Sequence, residues 1–269
     1  MAGGNGAAVN GTHLFEKIFP MVVIFNKPVK LTINTIYLNS GFFGDFCVVN
    51  GENAGFVTGA SAEAAERIFM AGADCITGGN HTLRNKAAYS YLENTEAILR
   101  PINFEGAVGH GYAILDCNGY KLLVISAMGN VHIEPTLDNP YGYIDRLLRR
   151  EEGRYDFALL DIHAEATGEK MAIGYAYDGK INVIFGTHTH VQTADGQILP
   201  KGTGYITDLG MCGESGGVLG MDPEVVVKRM RTRLPEKFVV AKGKCTATGA
   251  IFDLDEKSGR VTAVKEIRF

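Results

Sequence analysis

Four short apolar runs, each stopping abruptly at polar residues, constrain this chain more than any other feature. They are DFCVVNGEN, ADCITGGNH, YDFALLDIHAEA and KINVIFGTHTH. Together the runs are rich in Val, Ile and Phe, and each is too short for a helix, so each reads as a strand. Between the first two lies GASAEAAERIFMAGAD. That stretch predicts a helix with Ser61 as N-cap, acidic residues in its first turn and Gly72 as its stop. Strand–helix–strand is the signature of a parallel sheet, and runs that are apolar throughout suit strands covered on both faces. YKLLVISAMG predicts another strand and YGYIDRLLRREEG a helix after it. The tail from Phe238 alternates polar and apolar residues and turns at Glu256-Lys257-Ser258-Gly259, which predicts antiparallel strands completing the sheet. No internal repeat or linker interrupts the pattern, so residues 1–269 read as one α/β domain.

In open α/β sheets, ligands bind beyond the carboxyl ends of the strands. The four ends here carry Asn50, Glu52 and Asn53; Asn80 and His81; Asp161, His163 and Glu165; and His188 and His190. Imidazoles, carboxylates and amide oxygens make a mixed nitrogen and oxygen environment. It suits Fe, Mn, Zn or Ni better than Ca or Mg, and it needs no thiolate. Two such ions, bridged by one carboxylate such as Glu52, form a clamp for in-line displacement at phosphorus. Taken singly, each motif is open to a plainer reading. His-x-His can be incidental, NGEN and GGNH can be turns, and DIHAEA can be a strand end capping a helix. The weight lies in all four falling at strand ends.

Bulk properties narrow the class. A net charge of −4 argues against stable nucleic-acid binding, which needs a basic surface. The basic stretches RLLRREEGR and VVVKRMRTRLPEK read as solvated helix faces. Five cysteines, an odd count without a CxxC, fit a reduced compartment better than a disulfide framework. The longest apolar stretch, IFPMVVIF, is far below the roughly 20 residues of a membrane span. The N-terminus has no basic region followed by an apolar core, so no secretory signal is expected there. These features predict a cytoplasmic protein without a membrane partner; a homo-oligomer is compatible with them.

NGEN, GGNHT, DIHAEATGEK and GTHTHVQTADGQILPKGTGYITDLGM together resemble the motifs of the YmdB-type metallophosphoesterases. These are calcineurin-like, dinuclear-metal phosphodiesterases that hydrolyse 2′,3′-cyclic nucleotides. The resemblance runs from about Asp45 to the C-terminus, taking in LRPINF and LPEKF. It implies a four-layer sandwich, with helices flanking two mixed sheets. It implies two divalent transition-metal ions, Fe or Mn, held by Glu52 as the bridge with Asn53, Asn80, His163, His188 and His190. It implies hydrolysis of a small phosphodiester such as 2′,3′-cyclic AMP through a metal-bridged hydroxide, with His81 as proton donor to the leaving group. An imidazole beside two cations delivers a proton readily at neutral pH, which makes that role physically reasonable.

Residues 1–44 depart from the family. Its members begin with an apolar strand ending in Gly-Asp, whose aspartate ligates the first metal. Here GNGAAVNGTHLFEKIFP matches that region loosely and puts Asn5 in the aspartate's place, without the strand. MVVIFNKPVKLTINTIYLNSGFFG then replaces a shorter, more polar connection. An amide oxygen carries no charge, so the departure weakens the first metal site and leaves the second, Glu52, Asn80, His163 and His188, intact. The alternative it raises is a catalytically impaired member acting as a metal-bearing binding or regulatory protein.

Overall fold

A computed structural model of the chain describes residues 45–54 and 61–268, together with the backbone of Met21–Asn26. Two mixed sheets lie face to face. The first contains β1 (Met21–Asn26), β2 (Phe46–Asn50), β3 (Cys75–Thr77), β12 (Thr248–Leu254) and β13 (Val261–Arg268), in the order β13-β12-β1-β2-β3. The second contains β4 (Tyr112–Cys117), β5 (Tyr120–Met128), β6 (Phe157–His163), β7 (Val183–Thr187), β8 (Gln197–Ile198) and β9 (Gly204–Ile206), in the order β4-β5-β6-β7-β9-β8. A small ribbon of β10 (Gly213–Glu214) and β11 (Cys245–Thr246) sits apart from both.

Alternation along the strands builds three apolar layers. Val48, Val124, Leu159, Phe185 and Phe252 meet between the sheets. Leu123, Ile125, Leu160 and Ile184 point outward and pack beneath α3 (Pro140–Arg150) and α4 (Thr167–Ala176) through Ile144, Leu147 and Ile173. Val49, Ile76 and Ile251 do the same for the first sheet beneath α1 (Ala62–Met70) and α2 (Tyr89–Asn94), through Ala65, Ile68 and Leu92. The result is helices, sheet, sheet, helices: the four-layer arrangement expected. It explains why β6 is buried along its whole length, whereas β13 at an edge is mostly exposed. Each fully buried Leu or Ile contributes about 1.5–3 kcal/mol relative to exposure.

Local signals act where the sequence placed them. The Ser61 hydroxyl accepts from the Ala64 N–H at 3.1 Å, and Gly72, just past the helix end, takes φ +104°. Asn139 and Asp222 cap α3 and α5 (Pro223–Thr232), each with proline at the first helical position. The tail forms the antiparallel pair β12 and β13.

One departure is informative. MVVIFN, part of the segment unlike the family, supplies β1 at the centre of the first sheet. It runs parallel to β12 and antiparallel to β2, with Met21 paired to Asn50 and Phe25 to Phe46. This strand therefore begins, rather than ends, at the edge where β2 ends. No helix among the described residues is long and apolar enough to cross a membrane.

Candidate metal centre

The inter-sheet face changes character toward one edge of the sandwich. Two residues beyond Val48, Cys75, Leu159 and Phe185, the same strand faces carry Asn50, Thr77, Asp161 and Thr187. These four form a buried polar layer. Asp161, fully buried, accepts from Asn50 Nδ2 at 2.9 Å, Thr77 Oγ1 at 2.5 Å and Thr187 Oγ1 at 2.8 Å. Burial raises the Asp161 pKa, while His163 and those three donors oppose the rise. Beyond this layer lie the strand-end residues.

There the predicted residues gather around Glu52, itself 2 % exposed. Glu52 Oε2 is 2.9 Å from His163 Nε2, and that nitrogen is 3.1 Å from both Asn80 Oδ1 and His188 Nδ1. The other oxygen, Oε1, accepts the backbone N–H of His81 at 2.8 Å and lies 3.6 Å from His81 Nδ1. His81 Nδ1 donates to Asn53 Oδ1 at 3.1 Å, and Asn53 Nδ2 reaches His190 Nε2 at 3.3 Å. One carboxylate thus sets Oε2 against His163, whose Nε2 also meets Asn80 and His188, and Oε1 against His81, which links through Asn53 to His190. Asn5 lies outside the described residues.

Ring orientations follow from neighbours. Thr187 gives its only hydroxyl proton to Asp161, so the 2.9 Å contact from His163 Nδ1 must be a donation by the ring. That leaves His163 Nε2 as the nitrogen facing Glu52. His188 Nε2 is held by Glu165 Oε2 at 3.1 Å, which turns Nδ1 inward. Asn80 Nδ2 donates to the Glu134 carbonyl at 2.9 Å, which turns its oxygen inward. Backbone accommodates the rings. A Cβ on Gly79 would collide with the His163 imidazole. His188 and His190 both have positive φ, +99° and +65°, a region that non-glycine residues occupy only where surroundings enforce it. In GGNHT, the Thr82 hydroxyl accepts from Gly79 N–H at 2.8 Å and donates to the Gly79 carbonyl at 2.9 Å, closing the turn that presents Asn80 and His81.

The donor set fits a transition-metal ion. Bonds of ~2.0–2.2 Å at octahedral angles place neighbouring donor atoms about 3 Å apart. The separations of 2.9 and 3.1 Å around His163 match that spacing. Donor atoms of Glu52, His163 and His188 all lie within 4.8 Å of one another. Charge is also suitable. Burial works to raise the Glu52 pKa, but His163 and His81 lower it to about 2, so it is anionic. Burial, reinforced by His163, lowers His188 to about 4, and burial lowers His190 and His81 as well. His188 and His190 therefore keep lone pairs for a cation at neutral pH. His163 moves the other way: burial lowers it, and the adjacent Glu52 raises it by more. A proton and a cation would therefore compete for its Nε2.

Several contributors escape a strand-end reading of the sequence. Asp161 stands among the candidates there without a role, and its period-two offset from His163 is the available signal. Thr187, Lys170 and Asp208 fall inside the stretches that resemble the family, but no spacing gives them a role. Lys170 and Asp208 are fully buried and 2.9 Å apart, beneath the His188-Thr189-His190 turn.

Comparison with known proteins agrees with this architecture. A family model described as "YmdB-like protein" matches residues 31–267. A Bacillus subtilis protein named 2′,3′-cyclic-nucleotide 2′-phosphodiesterase is 42% identical over 223 residues, spanning 82% of this chain and 84% of that one. A putative phosphatase/phosphodiesterase of Mycoplasma pneumoniae is 34% identical, over 87% of this chain and 85% of its own. Among solved structures, a hypothetical protein from Thermus thermophilus superposes with TM-score 0.78 at 32% identity, covering 93% of this chain and 98% of that one. A phosphatase from Mycoplasma pneumoniae gives TM-score 0.80 at 30% identity, covering 95% and 94%. With its matched span, its layered sheets and its strand-end motifs, the chain belongs to the YmdB-like protein family.

Proposed function

We propose that this chain hydrolyses the 2′,3′-cyclic phosphodiester of small nucleotides with two divalent transition-metal ions, Fe or Mn. The observation that carries the reading is Glu52, whose one oxygen faces His163 from the second sheet and whose other faces His81 from the first. Asn80, His163 and His188 would hold one ion, Asn53 and His190 the other, with Glu52 shared. When bound, such a pair activates water and offsets charge on the leaving oxygen during in-line displacement.

The chain's own residues supply the rest. His81 is anchored through Nδ1 to Asn53, which leaves Nε2 to exchange a proton with substrate. The water loses a proton and its oxygen bonds to phosphorus, the bond from phosphorus to the 2′ oxygen breaks, and that oxygen takes a proton from Nε2 of His81 in its protonated form; the proton lost by the water restores the ring. The product is a nucleoside 3′-phosphate, in keeping with the Bacillus relative's name. Donors from both sheets build the site, which supports reading the chain as one domain. An odd count of five cysteines, without a CxxC, supports a reducing, cytoplasmic setting.

Incubating the purified chain with 2′,3′-cyclic AMP and Mn(II) should yield the 3′-monophosphate, and EDTA should abolish turnover. Metal-loaded protein that leaves the cyclic ester intact would overturn the enzymatic reading in favour of a non-catalytic binding role. Elemental analysis of the purified protein identifies the resident metal, and His163→Ala should strip much of it.

A further inference from the structure

We propose that the buried ion pair Lys170–Asp208 is a positioning device for the metal-facing histidines, setting the backbone on both sides of His188. The proposal rests on the metal reading above. Lys170, on α4, and Asp208, just beyond β9, are both fully shielded from solvent. Lys170 Nζ donates to Asp208 Oδ2 at 2.9 Å and to the Thr187 carbonyl at 3.1 Å. Asp208 Oδ2 in turn accepts the Thr189 N–H at 3.1 Å and the Thr189 hydroxyl at 2.6 Å. Asp208 Oδ1 is taken by the Gly210 N–H at 2.8 Å, and the Asp208 N–H donates to Thr193 Oγ1 at 2.9 Å. The residue before His188 is thus held by the ammonium, and the residue after it by the carboxylate.

That grip falls where the backbone needs it. His188 and His190, flanking Thr189, both sit at positive φ, which costs energy for any residue with a Cβ. A buried ion pair is itself a poor source of stability, because desolvation offsets much of its attraction, and apolar replacements of like volume are often neutral or better. Packing alone does not call for it here. What an apolar pair cannot do is fix a carbonyl and an N–H on either side of one ligand. Gly186 makes room for the arrangement: a Cβ there would press on the Thr207 carbonyl, and on Lys170 Cδ at 2.6 Å.

Mn(II) affinity, titrated calorimetrically alongside thermal unfolding, tests the idea. Lys170→Met alone leaves Asp208 charged and unpaired, so it should lower both stability and affinity. The double variant Lys170→Met/Asp208→Leu removes the unpaired charge and should recover much of the lost Tm, while Mn(II) affinity stays about 10–100-fold below the parent, the scale for losing support behind a ligand. Thr189→Val, which keeps the ion pair and removes the hydroxyl that donates to Asp208 at 2.6 Å and accepts from Lys170 Nζ at 3.4 Å, should weaken Mn(II) binding several-fold at nearly unchanged Tm. Affinity that returns with Tm in the double variant, or parental affinity in Thr189→Val, overturns the positioning role. If the double variant does not fold, the Thr189→Val result decides by itself. A parent chain that binds no Mn(II) overturns the metal reading instead.

Discussion

The Asp161 carboxylate reaches the His163 imidazole through a single hydroxyl, that of Thr187, at 2.8 and 2.9 Å. Asp161 and His163 occupy one face of β6, two residues apart, and Thr187 ends the neighbouring parallel strand. The hydroxyl proton belongs to Asp161, so the ring must present Nδ1–H to Thr187 and Nε2 to the site. Thr187→Val keeps the volume and removes the link. Metal affinity should fall about 10–100-fold. The Asp161 oxygen left unpaired should cost about 1–3 kcal/mol of stability, readable in denaturant unfolding. Parental affinity in this variant would show that His163 is oriented by other means.

His81→Ala separates proton transfer from metal binding. In the proposed mechanism the ring donates a proton and is not itself a ligand. Turnover of 2′,3′-cyclic AMP should drop about 10²–10⁴-fold, the range for a positioned acid, with metal content near the parent's. Loss of metal in parallel with activity would make His81 a ligand and end its assignment as the acid.

Gly79→Ala asks whether the backbone must stay bare behind His163. The added methyl would occupy the space of the imidazole, which is walled in by Thr187 and Glu52. The ring should be displaced, and metal occupancy measured by elemental analysis should fall steeply. A variant that retains full occupancy would show that His163 can shift without leaving the site.

Asp74 offers a test of pH dependence away from the site. Burial raises its pKa, and the Cys47 N–H it accepts at 2.7 Å only partly compensates. A carboxyl with a raised folded pKa contributes stability that is complete below its unfolded pKa and is lost as pH rises through the folded one. Asp74→Asn keeps an acceptor for Cys47 and does not ionise. The variant should melt above the parent at pH 7, with the gap closing below about pH 3.9, the ordinary aspartate value. A gap that widens on acidification would contradict the burial argument.

Much of this protein was legible in its sequence. Strands at 46–50, 75–77, 157–163 and 183–187 follow from apolar runs, and the α1 boundaries follow from Ser61 and Gly72. The strand-end polar residues were legible too, because apolar runs stop where the chain leaves the core. Tertiary structure decided what those ends do together. Period-two alternation places Asp161 and His163 on one face, but it does not reveal that β2 and β3 belong to one sheet and β6 and β7 to another. Nor does local sequence reveal that Glu52 bridges the gap between them. The Lys170–Asp208 pair spans 38 residues, and only the fold brings the two charges together out of water. The same holds for β1. MVVIFN is rich in β-branched and aromatic residues, yet its place and direction in the sheet depend on hydrogen bonds to β2 and β12, which no local pattern encodes. Local chemistry determined the elements and the candidate ligands. Long-range pairing determined which ligands face one another, because donor distances of about 3 Å arise only when separate strands are brought into register.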